Sequence, residues 1–152
     1  MKQKGFSLIE LLVVLGIIAV LTGLVAFNFN QARTRARDVT RKNDLKQIRE
    51  ALELYRNDNS GRYPDTGSYD ALMATYLAPY IQSELGDPKI ALTGDPSSWV
   101  EYTYSSTSPN LGYVLSVCLE NKTDDAANGD LCGTGNSGKY YVIDIDEGTQ
   151  VE

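Results

Sequence analysis

Apolar positions follow two different patterns along this chain. From Phe6 to Phe29 they are almost unbroken, twenty-four residues in which Glu10 is the one ionisable side chain. Beyond that run Ala32, Ala36 and Val39, then Leu45, Ile48, Leu52 and Tyr55, recur at three- and four-residue spacing with charges between them. The first pattern predicts a helix that is apolar on all sides and the second an amphipathic helix. No proline occurs from Met1 to Arg62, so one helix from about Phe6 to Asn57 is allowed, roughly 78 Å long at a rise of ~1.5 Å per residue. Its apolar part alone would span roughly 36 Å, enough to cross a hydrocarbon core of about 30 Å.

Asn57-Asp58-Asn59-Ser60-Gly61 is a dense stop signal, and Tyr63-Pro64 fixes an extended turn after it. A short second helix is predicted from Tyr69 to Tyr76 or Tyr80, with Ser68 as its cap and Leu72, Tyr76 and Ile81 on its apolar side. Asp87-Pro88 and Gly94-Asp95-Pro96 read as loops. Val100, Tyr102 and Tyr104 then alternate with polar residues as one strand, and Tyr113, Leu115, Val117 and Leu119 form a second. A polar, glycine-rich loop covers 121–137, and Tyr140 to Ile145 gives a third strand with Tyr141, Ile143 and Ile145 on one face. The fold class expected is α+β: a long N-terminal helix, inner half transmembrane and outer half amphipathic, packed against a small antiparallel sheet. Three strands need that helix to be stable.

Charge divides the chain in the same place. The net charge is -6, yet residues 28–62 hold nine Lys and Arg against five Asp and Glu, while residues 63–152 hold three Lys against fourteen acids. The stem is basic and the head acidic. The stem arginines alternate with Asp38, Asp44, Glu50 and Glu53, which reads as a solvated, salt-bridged face and not as a nucleic-acid surface. Between neighbouring copies, the same opposition would act as a salt-dependent steering term.

Glu10 is the position that needs an explanation. An acid within a membrane helix costs about 2.5 to 3.5 kcal/mol at the centre and less near an end, so it calls for a partner. Lys2 and Lys4 precede the apolar run and Arg33, Arg35, Arg37, Arg41 and Lys42 follow it, so charge counting does not set the orientation. An ordinary secretory signal places its small-residue cleavage site after the apolar core. Here the small residue at a plausible junction is Gly5, ahead of the run, and a cut there would leave the helix on the product.

The stretch Lys4-Gly5-Phe6-Ser7-Leu8-Ile9-Glu10 resembles the processing site of type IV pilins and type II secretion pseudopilins. The resemblance continues along the long helix to Tyr63-Pro64, and more loosely into Asp95-Pro96 and the tyrosine-rich strand after it. It implies cleavage of the Gly5-Phe6 bond by a prepilin peptidase, methylation of the Phe6 nitrogen, and a role for Glu10 in filament assembly. The segments it implies are a leader at 1–5, a transmembrane and filament-core helix at 6–29, an amphipathic outer helix at 30–60 and a head at 61–152. Where many members of the family carry a helix-kinking proline, this chain has Phe27. Gly16, Thr22 and Gly23 either loosen the helix there or serve as small residues at a helix contact.

Cys118 and Cys132 are the only cysteines and the chain has no histidine, so the pair makes a poor zinc site and is read as a disulfide. That places the head in an oxidising compartment, outside the cytoplasm. No cofactor, metal or catalytic residue is expected, since there is no phosphate-binding glycine loop and no nucleophile beside a base. Asp124, Asp125, Asn128 and Asp130 could offer oxygen ligands to calcium, as some pseudopilins do in a C-terminal loop, but loops of this composition are usually turns. The tyrosines at strand positions are read as sheet packing.

The function implied is a structural subunit, major-pilin-like, polymerised through its N-terminal helix into a type IV pilus-like filament. The alternatives are a pseudopilin of a type II secretion or DNA-uptake machine and, third, a single-pass membrane-anchored binding module. The partners implied are further copies of the chain, the prepilin peptidase, an inner-membrane assembly platform with its ATPase, and the membrane itself. No direct nucleic-acid partner is expected. The precursor is expected in the cytoplasmic membrane with its head outside, and the product in a cell-surface filament or a periplasmic pseudopilus.

Overall fold

The computed structural model describes residues 6–82 and 85–145, and their side chains except those of 24–28. The expected leader at 1–5, with Gly5, lies outside the described residues. The chain divides into two compact units, Met1–Thr34 and Arg35–Glu152. The helix α1, Leu8–Asp58, contributes to both.

In the first unit α1 displays its apolar side chains openly. Phe6 is 86% exposed, and the large apolar residues from Leu8 to Leu21 are all largely exposed. A Cβ added at Gly16 or Gly23 would meet nothing within 4 Å. The Thr22 hydroxyl donates to the carbonyl of Ile18 at 2.8 Å, a back-bond within the helix. Among the described residues no helix is long and apolar enough to cross a membrane. The span expected over 6–29 includes positions 24–28, whose side chains are not described.

In the second unit the apolar face of α1 forms one wall of the core. Leu45, Ile48 and Leu52 are fully buried and Tyr55 packs against them, each buried aliphatic side chain contributing about 1.5 to 3 kcal/mol. Ala36 and Val39, expected on this face, point outward, and Val39 is 54% exposed. The apolar stripe therefore begins at Leu45, because the head covers the preceding turns with polar groups.

The sheet has four antiparallel strands in the order β1-β2-β4-β3, where β1 is Thr103–Thr107, β2 Gly112–Leu119, β3 Leu131–Cys132 and β4 Gly138–Ile145. Register aligns Tyr104 with Leu115 and Ile143, and Val117 with Tyr141, so one face of the sheet lines up its apolar side chains. These pack with Leu45, Ile48 and Leu52 in one cluster. Tyrosines complete it by edge contacts, Tyr63 on Tyr113 at 4.8 Å and Tyr69 on Tyr102 at 5.5 Å between ring centres.

Four elements differ from the sequence reading, the first being the strand read over Val100, Tyr102 and Tyr104, which begins only at Thr103. The short second helix is three residues of α2, Tyr69–Ala71, running into a π turn at Leu72–Tyr76. Ser68 caps it by accepting from the Ala71 amide. The stretch read as a loop after Asp87 contains α3, Pro88–Thr93, followed by a 3₁₀ turn at Pro96–Ser98. The glycine-rich loop contains β3, a two-residue strand on the edge of β4. Beyond β3 the backbone of Asn128, Gly129 and Asp130 pairs with Tyr140, and at Val142 a side chain takes over: Asn128 accepts from the Val142 amide at 2.8 Å and donates to the Val142 carbonyl at 3.0 Å.

Candidate functional site

Two places carry the residues that the sequence singled out, one in each unit. At the start of α1 the carbonyl of Ser7 accepts from the amides of Glu10 and Leu11, at 3.1 and 3.3 Å. The Glu10 carboxylate turns back and accepts from the Ser7 amide at 2.9 Å. Ser7-Leu8-Ile9-Glu10 is thus one arm of a capping box, in which an acid three residues into the helix satisfies an amide that helical bonding leaves unpaired. The signal was present in the sequence as Ser-x-x-Glu. Glu10 therefore has a partner inside its own chain. Phe6 stands exposed beside this turn.

The second place is a polar cluster under the head. Asp38, Arg41 and Asp44 lie on α1 where a solvated face was expected, but Arg41 is fully buried, Asp38 is 2% exposed and Asp44 7%. Their burial is tolerated because each is paired. Arg41 donates from Nε and Nη2 to the two oxygens of Asp87, at 2.6 and 3.0 Å, and from Nη1 to Asp38 at 2.7 Å and Glu120 at 2.9 Å. Arg37 grips both oxygens of Glu120 at 2.6 and 2.7 Å. Asp38 in turn accepts from the amides of Glu120 and Asn121, both at 2.9 Å, which fixes the end of β2 to the helix. Asp87 also caps α3 through the Lys89 amide. Asp44 accepts from the Tyr102 hydroxyl at 2.7 Å.

Electrostatics follow from this pairing. Burial works against the Arg41 charge, but its hydrogen bonds to Asp87, Glu120 and Asp38 outweigh it and hold the guanidinium above its ordinary pKa. For Glu120, burial alone would raise the pKa; the bonds from Arg37 and Arg41 more than cancel this and leave the carboxyl below its usual value. Asp44 goes the other way, raised by burial that the Tyr102 bond offsets only in part.

The cluster reaches the cysteines through Trp99. Lys89 Nζ lies 3.8 Å from the Trp99 ring centre and Arg41 Cζ 5.3 Å from it, while the indole donates to the Cys118 carbonyl at 3.1 Å. Cys118 and Cys132 form a disulfide that packs against the same ring. A Cβ at Gly138 would strike Cys118 Sγ at 2.7 Å and the Leu119 carbonyl, so only glycine fits between the bridge and β2.

Of the four residues weighed as calcium ligands, Asp124 and Asn128 are otherwise engaged. Lys42 Nζ sits on Asp124 at 2.7 and 2.9 Å, which lowers the Asp124 pKa, and Asp124 also accepts from the Ala126 amide. Asn128 is occupied by Val142. Among the described residues no group of three or more acidic, cysteine or histidine side chains is placed to hold a metal ion.

The prokaryotic N-terminal methylation motif matches residues 1–26. The chain is similar to type II secretion system core protein G of Pseudomonas aeruginosa, 38% identical over 108 residues, 71% of this chain and 66% of that protein. It is also similar to the core protein G of Pectobacterium carotovorum, 35% identical over 83 residues, 55% of this chain and 51% of that protein. A third relative is the type IV wide pilus major component PilA4 of Thermus thermophilus, 42% identical over 59 residues, 39% of this chain and 45% of that protein. The chain thus spans about half to two thirds of the length of these relatives. No solved structure matches it. With the methylation motif ahead of a long helix and a small antiparallel head, the chain belongs to the family of type IV pilins and type II secretion pseudopilins.

Proposed function

We propose that this chain is a structural subunit, cut between Gly5 and Phe6, methylated on the Phe6 nitrogen and polymerised through its N-terminal helix into a type IV pilus-like filament. The observation that carries the reading is the methylation motif over residues 1–26, followed by a helix whose described apolar side chains stand uncovered in the single chain. Such a surface requires an apolar surrounding, first a bilayer and then a bundle of neighbouring stems. In this reading segment 6–29 is the membrane anchor, 30–60 the outer helix and 61–152 the head, and the Cys118–Cys132 bond supports a head exposed to an oxidising compartment. The partners are further copies of the chain, the prepilin peptidase and an inner-membrane assembly platform with its ATPase. The subunit performs no catalysis.

A second reading is supported by the relatives named core protein G: a pseudopilin that forms a short periplasmic filament in a secretion machine. Both readings share the stem chemistry. Mass spectrometry of the N-terminus tests that shared part; loss of residues 1–5 and the added mass of one methyl group are expected. An intact leader on the assembled protein would overturn both. Imaging then separates long surface fibres from short periplasmic ones.

A further inference from the structure

The head carries a groove of about 780 Å³ whose apolar lining includes Met73, Ile81, Leu85 and Ile90 and whose acidic lining includes Asp70 and Glu101. Its size is that of a binding cleft. Among the described residues neither Asp70 nor Glu101 has a hydrogen-bond or ion-pair partner, in contrast to Asp38, Asp87, Glu120 and Asp124, every one of which is held by a cation. The two free carboxylates feel each other: burial first, then Asp70 and Asp87, push the Glu101 pKa upward. Asp87 is already neutralised by Arg41, so the groove is left apolar with an uncompensated negative charge.

What would satisfy it is a cation carried on an apolar neighbour, and the chain presents one on the outward face of α1. Arg35, Val39, Asn43 and Lys46 follow one another at helical spacing, all exposed, with Arg49 beside them. Val39 is 54% exposed, the one large apolar side chain of that run open to solvent. We propose that the groove receives this face of α1 from a second copy of the chain, with Asp70 and Glu101 taking Arg35 or Lys46 while Met73, Ile81, Leu85 and Ile90 cover Val39. The contact rests on the filament reading above and assigns it a surface: the heads are joined side to side through a basic stripe and an acidic groove, so they add charge selectivity to a polymer whose stems supply the apolar burial.

The test uses the full-length chain expressed as the only subunit. A photo-reactive benzoylphenylalanine at Ala78, an exposed residue lining the groove, should cross-link to the segment Arg35–Arg49 of another copy. Attachment to a different part of the chain, or to another protein, would overturn the inference. In parallel, Glu101→Lys combined with Asp70→Lys should lower the assembled fraction at least about tenfold, the factor produced by losing a charge pair of the weaker measured kind. Adding Arg35→Glu and Lys46→Glu to the same chain should restore it. If the unaltered chain is processed and polymerises while the lysine variant assembles equally well, the groove assignment is wrong and the filament reading stands. If the unaltered chain does not polymerise at all, the filament reading fails and the assignment falls with it.

Discussion

Arg41 and Asp87, forty-six positions apart, meet in a two-pronged ion pair in which neither side chain is exposed. The pair joins the long helix to the start of α3, and through Asp38 and Glu120 the same guanidinium reaches the end of β2. A buried ion pair is weak evidence of net stability, because desolvation offsets much of the attraction, but removing one partner strands the other.

Arg41→Met should therefore destabilise the head by about 3 to 5 kcal/mol. Arg41→Lys should recover only part of that loss, since an ammonium cannot reproduce the two parallel bonds to Asp87. Denaturant unfolding of the detergent-solubilised chain measures both, and equal stability of the lysine variant and the parent would refute the geometric argument.

Glu120 makes the head sensitive to acid. Its folded pKa lies below its ordinary value of 4.5, so its contribution is fully present above about pH 4.5 and is lost as the pH falls through the folded pKa. Asp124, lowered by Lys42, acts in the same sense. Asp44 acts in the opposite sense: its folded pKa is raised, so its protonation on the way down favours the folded state. Glu120→Gln should lower stability at neutral pH and flatten the decline below about pH 4.5. An acid limb unchanged in slope would mean that Glu120 is not its main source.

Reduction of Cys118–Cys132 should cost the head about 3 kcal/mol, as expected for closing a loop of about fifteen residues. Trp99 is the one tryptophan and it packs on the bridge, so its fluorescence reports the change directly. Reduction without loss of stability would argue that the Trp99 cluster holds the loop by itself.

Glu10 has two separable properties, a charge and a hydrogen bond to Ser7. Glu10→Gln keeps an oxygen for the Ser7 amide and loses the charge, whereas Glu10→Ala loses both and should cost the first turn about 1 kcal/mol. If the acid pairs with the Phe6 amine of a neighbouring stem and so fixes the stagger between stems, both variants should insert and fold yet fail to assemble. Assembly of the glutamine variant at the parental level would leave helix capping as the role of Glu10.

Much of the fold was legible because periodicity is a local signal. Leu45, Ile48 and Leu52 declared a helix face, and Leu115 and Val117 a strand face, without reference to anything distant. The element α3 was hidden although its punctuation was present: Asp87 caps it, Pro88 opens it and Gly94 ends it in a left-handed conformation with φ of 66°. The same residues also mark turns, and six residues are too few to show a period. The polar cluster was illegible for a different reason. Arg41 sits among charges on a helix, as exposed residues do, and its burial is decided by Asp87 and Glu120, which lie forty-six and seventy-nine positions away. Glu10 carries two signals in the sequence, a charge inside an apolar run and the Ser-x-x-Glu spacing of a cap, and the second is as local as the first.

Asn128 bears on a hazard that any crowded sheet faces. An open strand edge offers amides and carbonyls to whatever strand comes near, and subunits held side by side at very high local concentration would be prone to fuse sheet to sheet. By filling both hydrogen-bonding groups of Val142 with its own carboxamide, Asn128 leaves that part of the edge nothing to offer. In the filament proposed above, association would thereby be directed away from the backbone and toward side chains, and a single amide side chain would help keep neighbouring sheets from pairing edge to edge.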